Sequence, residues 1–232
     1  MRMIRTSFLL IAATVIGSVC LFSEPAAAAD ESGVYIGANV GRLLSTYRRA
    51  DLDNALTAAF GGTDSGFLLG PTSIRKSHAI WSANIGYMAS RYFGIEASYL
   101  DLGTLDYSAF AAISAATGTQ AVAVEADIES RGPVLAVIGV LPMTDSWDMS
   151  ARIGAYRGRT HTDFTSNVGT DTKSGLLSET STSLLAGVGG SYIISSHCTI
   201  RLDYIRIEHV GEQLFERAFN VDLVTAGLSY VF

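Results

Sequence analysis

The sequence predicts an all-β chain: an eight-stranded antiparallel up-and-down transmembrane β-barrel with long external loops and short periplasmic turns. Three observations carry that prediction. Hydrophobic residues make up 48% of the 232 and charged residues only 16%, a more apolar balance than soluble domains show. Apolar residues then recur with a period of two in segment after segment. The gaps between those segments are alternately long and short, as in an outer-membrane barrel. The same composition excludes a disordered tail, and the net charge of -6 argues against a nucleic-acid partner.

The chain begins with a segment that reads as a removable leader. Arg2 and Arg5 precede the apolar run Phe8 to Phe22, and the small residues Ala26 to Ala29 follow before Asp30. A basic end, an apolar stretch and an Ala-x-Ala site form a secretory signal peptide. Residues 1–29 are therefore expected to be cleaved and residues 30–232 to form the barrel domain. Cys20 follows Val19 rather than a small residue, which disfavours a lipid anchor. With the leader removed, Cys198 is the only thiol left, so no internal cross-link is expected to support the fold. No run of eighteen apolar residues survives in the remainder, so spanning helices are not expected.

The strands follow in order. In the first, Val34, Ile36, Ala38 and Val40 oppose Tyr35, Gly37, Asn39 and Gly41. The second sets Ala79, Trp81, Ala83, Ile85 and Tyr87 against His78, Ile80, Ser82, Asn84 and Gly86; the third sets Phe93, Ile95, Ala97 and Tyr99 against Gly94, Glu96 and Ser98. The fourth, Val122 to Val140, is less clean. One parity is Val122, Val124, Ala126, Ile128, Val134, Ala136, Ile138; the other runs Glu125, Asp127, Glu129, Arg131 and turns apolar at Leu135. It is longer than a bilayer requires, so its upper part is expected to project. Met149, Ala151, Ile153 and Ala155 mark the fifth strand, Leu184, Ala186, Val188 and Tyr192 the sixth. Ile200, Leu202 and Tyr204 mark the seventh, and Val224 to Phe232 the eighth. Successive side chains of a strand point to opposite faces. The second face, rich in Gly and Ser with a few charges, suits a crowded lumen better than an open surface.

Long gaps are expected at residues 44–77, 103–119, 159–181 and 209–219, with short turns at 89–92, 142–147 and 195–198. Strands of about 9 to 11 residues suffice to cross; the remainder is read as loop. A hairpin within the first gap, around Gly66 to Ile74, would raise the count to ten. Arg48 to Phe60 in that gap and the Ala-rich Ser108 to Thr117 in the next read as packed loop decoration, or as a surface that binds a receptor.

The chain closes on Thr225, Gly227, Tyr230 and Phe232, a polar residue, a glycine and two aromatics in alternation. This looks like the assembly signal of outer-membrane barrels. With Tyr35-Ile36-Gly37-Ala38, Tyr92-Phe93-Gly94-Ile95-Glu96 and Ile200-Arg201-Leu202-Asp203-Tyr204, it makes the mature chain resemble the small eight-stranded outer-membrane proteins. These include the membrane domain of outer membrane protein A and the opacity-type surface antigens. The resemblance implies barrel assembly machinery as a partner during biogenesis. The sequence stops where the barrel does, so the wall-binding domain of the larger relatives is not carried over.

Glu96, Arg152, Arg201 and Asp203 share the lumen face, with Asn39 and Asn84 beside them. Charges sealed in a small barrel must pair, so these four are expected to form an ion-pair plug; the resemblance adds that such a plug can act as a gate. Arg157, Arg159 and Arg206 leave their strands at the upper end with the parity of the lipid face. Guanidinium groups there suit the phosphates of lipopolysaccharide. His78, His161, His197 and His209 are followed two residues on by Ile80, Asp163, Thr199 and Gly211, so none fits the His-x-Ser pattern of a lipid A deacylase. His161 and Asp163 are read as solvated loop, and no cofactor or metal motif is found. The expected role is structural, with surface display in a Gram-negative outer membrane, as a monomer and without catalysis. Adhesion or host-factor binding through the loops is the leading alternative, a narrow gated pore the next, and a lipid-modifying enzyme the last.

Overall fold

The computed structural model describes residues 32–45, 57, 66–77, 80–115, 118–168, 171–210 and 219–232. Among the described residues there are nine strands: β1 (Gly33–Ser45), β2 (Gly66–Ser77), β3 (Ile80–Met88), β4 (Phe93–Ala115), β5 (Gly118–Pro142), β6 (Trp147–Val168), β7 (Asp171–Ile193), β8 (Cys198–Val210) and β9 (Phe219–Val231). All pairings are antiparallel. Each strand pairs with the next from β3 to β9, and β1 pairs with both β9 and β3. That closes a ring of eight strands, as expected, and removes its open edges.

The ninth strand is not half of a hairpin. Among the described residues β2 pairs only with the upper part of β4, from Gly66↔Ser114 to Ser77↔Thr104, where β3 takes over at Trp81↔Asp101. β2 and β3 run in the same direction along β4, so β2 extends the second wall strand upward. The alternative of ten strands is corrected accordingly.

The long loops are corrected as well. Three of the connections are the short turns expected, but the gaps at 103–119 and 159–181 are almost wholly strand. β4 and β5 remain paired to Ala115↔Gly118, and β6 and β7 to Val168↔Asp171. The Ala-rich Ser108 to Thr117 is thus mostly the end of β4, and His161 with Asp163 lies on β6. The segment Arg48 to Phe60, Thr57 apart, lies outside the described residues. β4 to β7 have 22 to 25 residues each, about twice what a crossing needs. The surplus continues as a tall sheet, β2-β4-β5-β6-β7, above one side of the barrel.

A bulge hid this continuation. Between Asp101↔Arg131 and Thr104↔Glu129, β4 has one residue more than β5. Gly103 takes a positive φ of 76° there, a conformation costly for residues with a Cβ, and its N–H donates to Asp101 Oδ1 at 2.9 Å. The extra residue reverses the parity of β4: Glu96 and Leu100 point inward below it, Leu105, Tyr107 and Ala109 above it.

The outer surface marks the water boundary. Low on β5 to β8 it carries Leu135, Val137, Ile153, Leu184, Val188 and Leu202, all 51–64% exposed; in a soluble protein so broad an apolar face would be a liability. Higher on β5 and β6 the same outward parity turns to Arg131, Glu129, Asp127 and Glu125, and to Arg157, Arg159, His161 and Asp163. There the inner face becomes a core: Leu105, Tyr107, Ala109 and Ile128 pack together, as do Ala111, Val122 and Val124. Below the boundary lipid takes the apolar side, above it the sheet interior does. Aromatic pairs stand on the lower rim, Trp147 with Tyr192 at 4.9 Å and Tyr230 with Phe232 at 5.2 Å, and Trp81 with Tyr99 at 6.1 Å stands near the upper.

With residues 1–29 present, Cys198 is buried and disulfide-bonded; the other half of the bond lies outside the described residues. The expectation of an unpartnered thiol is therefore not met in this form of the protein.

Candidate functional site: the closed lumen and the barrel mouth

The lumen-facing positions of β1, β3, β4, β6, β8 and β9 converge because each lies toward the end of the barrel where the short turns stand. Arg152 donates to Glu96 Oε1 at 3.3 Å through Nη1 and to Asp203 Oδ1 at 2.7 Å through Nη2. Arg201 Nη1 donates to Glu96 Oε2 at 2.9 Å, and its Nε stands 3.8 Å from Asp203 Oδ2. Tyr35 and Asn84 also donate to Glu96 Oε2, at 2.8 and 3.0 Å. Asn39 donates to Asn84 and to Ser82. Arg201 lies over the Tyr35 ring at 5.9 Å. The structure thus brings together all four residues that the sequence placed in the plug. Each is at most 8% exposed, and two cations against two anions leave no net charge.

Glycine makes room for this cluster. A Cβ on Gly86 would overlap the Tyr35 ring, one on Gly227 the Asn39 amide, and one on Gly189 the Asp203 carboxylate. The small residues of the lumen face are thus the cavities into which the large polar ones fit. Gly86→Val is accordingly expected to lower stability by about 1–3 kcal/mol, read from urea unfolding in lipid vesicles. Adding Tyr35→Ala should recover part of the loss, since it removes the overlapping ring.

Above the cluster lies a layer that sequence reasoning missed. Ile80, Leu100, Leu102, Val134, Ala136, Tyr156, Leu185, Ile205, Ile207, Val221 and Leu223 form one buried apolar group inside the ring. A small cavity separates the layers, lined on one side by Asn39, Glu96 and Arg152 and on the other by Leu100, Leu185 and Ile205. A readable signal existed: Tyr156 lies four residues after Arg152, Leu100 four after Glu96 and Ile205 two after Asp203, all with the lumen parity. The lumen is therefore closed twice, by ion pairs below and by hydrocarbon above.

At the boundary, Arg157 and Arg159 point outward as expected, and Arg159 Nε donates to Ser178 at 3.3 Å. Arg131 lies directly opposite Arg159. Arg206 differs: its guanidinium stands 3.7 Å from both Glu208 and Asp222, and Asp222 also accepts from Tyr204 at 2.8 Å. On the closing strand, Thr225 is buried in the lumen, Gly227 lies against Asn39, and Tyr230 and Phe232 share the outer face. The Phe232 N–H donates to Val34 O at 3.0 Å, fastening the end of the chain to β1.

Residues 29–232 match the family model of the OmpA-like transmembrane domain. The chain belongs to that family. It is an outer-membrane β-barrel, in keeping with the ring and its lipid-facing belt. Over 173 residues it is 28% identical to outer membrane protein A of Serratia marcescens, covering 74% of this chain and 44% of that protein. The chain thus spans less than half the length of this curated relative. Among solved structures it is similar to Ail, the attachment invasion locus protein of Yersinia pestis, at 13% identity and a TM-score of 0.44. That match covers 88% of this chain and all of the other. OprG of Pseudomonas aeruginosa is similar at 14% identity and a TM-score of 0.44, over 88% of this chain and 98% of that one.

Proposed function

We propose that this barrel is a closed anchor that displays the tall sheet β2-β4-β5-β6-β7 at the cell surface, with a structural role in the envelope and no catalysis or conduction. The observation that carries this reading is the inversion of polarity along β5 and β6: apolar outside and plugged inside within the membrane, charged outside and cored above it. A sheet with its own apolar core is a rigid platform, which suits display better than mobile loops do. The binding alternative then moves from loops to this platform.

In cells lacking the protein, a chain in which a two-residue turn joins Thr104 to Glu129 should restore resistance to detergent. It should not restore any adhesion that the full chain confers. Because Thr104 and Glu129 are register partners, the shortened barrel should keep its heat-dependent mobility shift. Equal adhesion by a folded, shortened chain would overturn display by this sheet.

Arg157 and Arg159 are proposed to hold phosphates of lipopolysaccharide, whereas Arg206 is already held by Asp222 and Glu208. Replacing the first two by Gln should reduce co-purified lipopolysaccharide about tenfold or more, the scale of one or two charge-assisted hydrogen bonds; Arg206→Gln should leave it within about twofold. Export is proposed to proceed by cleavage after Ala29, and insertion through recognition of Thr225, Gly227, Tyr230 and Phe232 by the assembly machinery. Mass measurement of the mature chain and surface levels after deletion of Phe232 test these two steps.

A further inference from the structure

Above the apolar layer, the inner faces of β6 and β7 hold polar groups that the plug does not use. Among the described residues, five buried side-chain oxygens have no hydrogen-bond partner, and three of them are here: both carboxylate oxygens of Glu179 and Oγ1 of Thr162. Glu179 shares the inward parity of Ser183 and Leu185, and lies directly opposite Thr160. Thr160 donates to Ser130 Oγ at 3.2 Å, and Ser130 stands 3.0 Å from the Tyr156 hydroxyl. Thr162 follows two residues along β6, opposite Ile128 of the apolar group with Leu105 and Tyr107.

A carboxylate with both oxygens out of water and no donor costs several kcal/mol, and such a group in a native chain calls for a ligand that supplies what is missing. Neighbouring inward side chains of β6 and β7 are Phe164, Ser166, Leu177, Ser181 and Ser183, so among the described side chains Glu179 is the only charge on this face. Its acidic relatives Asp127, Glu129 and Asp163 project from the opposite side of the sheet. One negative charge calls for a single positive one. A divalent ion, which draws on several carboxylates, would leave the site with an excess charge.

We propose that the barrel mouth is a binding site for a primary-ammonium ligand, with Glu179 as counter-ion. The three N–H donors of an ammonium match the acceptors present: the Glu179 carboxylate, the unpartnered Thr162 oxygen, and the Thr160 oxygen, whose proton is already given to Ser130. Tyr107 and Ile128 bound the apolar side against which an alkyl stem would lie. The site goes beyond the display role and is independent of it.

The test uses the whole chain folded in detergent micelles, with n-butylammonium as probe and backbone amide shifts as readout. Saturable shifts are expected at Thr160, Thr162 and Glu179. Affinity should fall tenfold or more in Glu179→Gln and severalfold in Thr162→Val, with the heat-dependent mobility shift kept in both. Tetramethylammonium, which has the charge but no N–H, should produce no saturable shift at the same concentrations. The proposal is overturned by absence of saturation in the wild type, by equal binding of tetramethylammonium, or by unchanged affinity in folded Glu179→Gln. Saturation of the same amides by calcium at lower concentration would also overturn it, in favour of a metal. If Glu179→Gln fails to fold, Thr162→Val decides: a severalfold loss supports the site and an unchanged affinity overturns it.

Discussion

Glu96→Ala should destabilise the barrel by about 3–5 kcal/mol, the cost of leaving a buried charge without its partner. Glu96 accepts from Arg152, Arg201, Tyr35 and Asn84, so its loss leaves two buried guanidinium groups sharing the single carboxylate of Asp203. The loss should appear as a lower urea midpoint for unfolding from lipid vesicles. Arg152→Met combined with Glu96→Leu should cost far less than Glu96→Ala alone, because an apolar pair asks for no counter-charge and Arg201 keeps Asp203. If Glu96→Ala unfolds at the wild-type midpoint, the four residues do not act as a sealed ion-pair unit.

Conductance should respond to a different set of residues. In planar bilayers the wild-type barrel is expected to show no discrete openings, and Glu96→Ala is expected to show none either. The apolar layer of Tyr156, Leu185, Ile205 and Leu223 stands intact in both, and a hydrophobic constriction excludes water and ions. Tyr156→Ala combined with Leu185→Ala and Glu96→Ala should open both layers and give discrete, ohmic steps. Openings in the wild type, or in Glu96→Ala alone, would favour the gated-pore reading over the closed anchor, because the apolar layer would then be no barrier. The order of the two layers is what separates plug from gate: ions removed from below still meet hydrocarbon above.

The proposed surface display makes its demand on the upper sheet instead. Its inner core of Leu105, Tyr107, Ala109 and Ile128 holds the wall of strands rigid, so a partner meets a prepared surface and pays little ordering entropy. Among the outward residues, Asp106, Asp127 and Asp163 are register neighbours on three adjacent strands. Like charges set opposite each other weaken a sheet, which makes this stretch a poor choice for stability and a sensible one for solubility in water.

How much was legible follows from what each residue answers to. Lipid is a uniform solvent, so every outward position must be apolar whatever its neighbours are. Ile153, Val188, Leu202 and Leu228 could therefore be placed on the belt one strand at a time. The same holds for Glu96, Arg152, Arg201 and Asp203: a charge on the inner face of a narrow barrel has only the other inner charges to meet. Above the membrane the outside is water and the inside a core, as in any soluble sheet. There His161 and Asp163 look like loop when nothing says which side the water is on. Gly103 compounds this, because one extra residue reverses the parity of β4 and breaks the pattern where the sheet leaves the bilayer.

The sequence by itself determined the ring of eight strands, the lipid belt and which charged residues meet in the lumen, since all of these follow from local composition and a period of two. Only the tertiary structure decided that β2 extends the wall instead of adding a hairpin, that the supposed loops are a cored sheet, that hydrocarbon seals the lumen above the ions, and that the carboxylate oxygens of the partly exposed Glu179 lie out of water near Thr160 and Thr162 without a donor. Each of these depends on register, the alignment of residues far apart in the chain. Register is set by how strands pack and bulge against one another, and no single strand carries it.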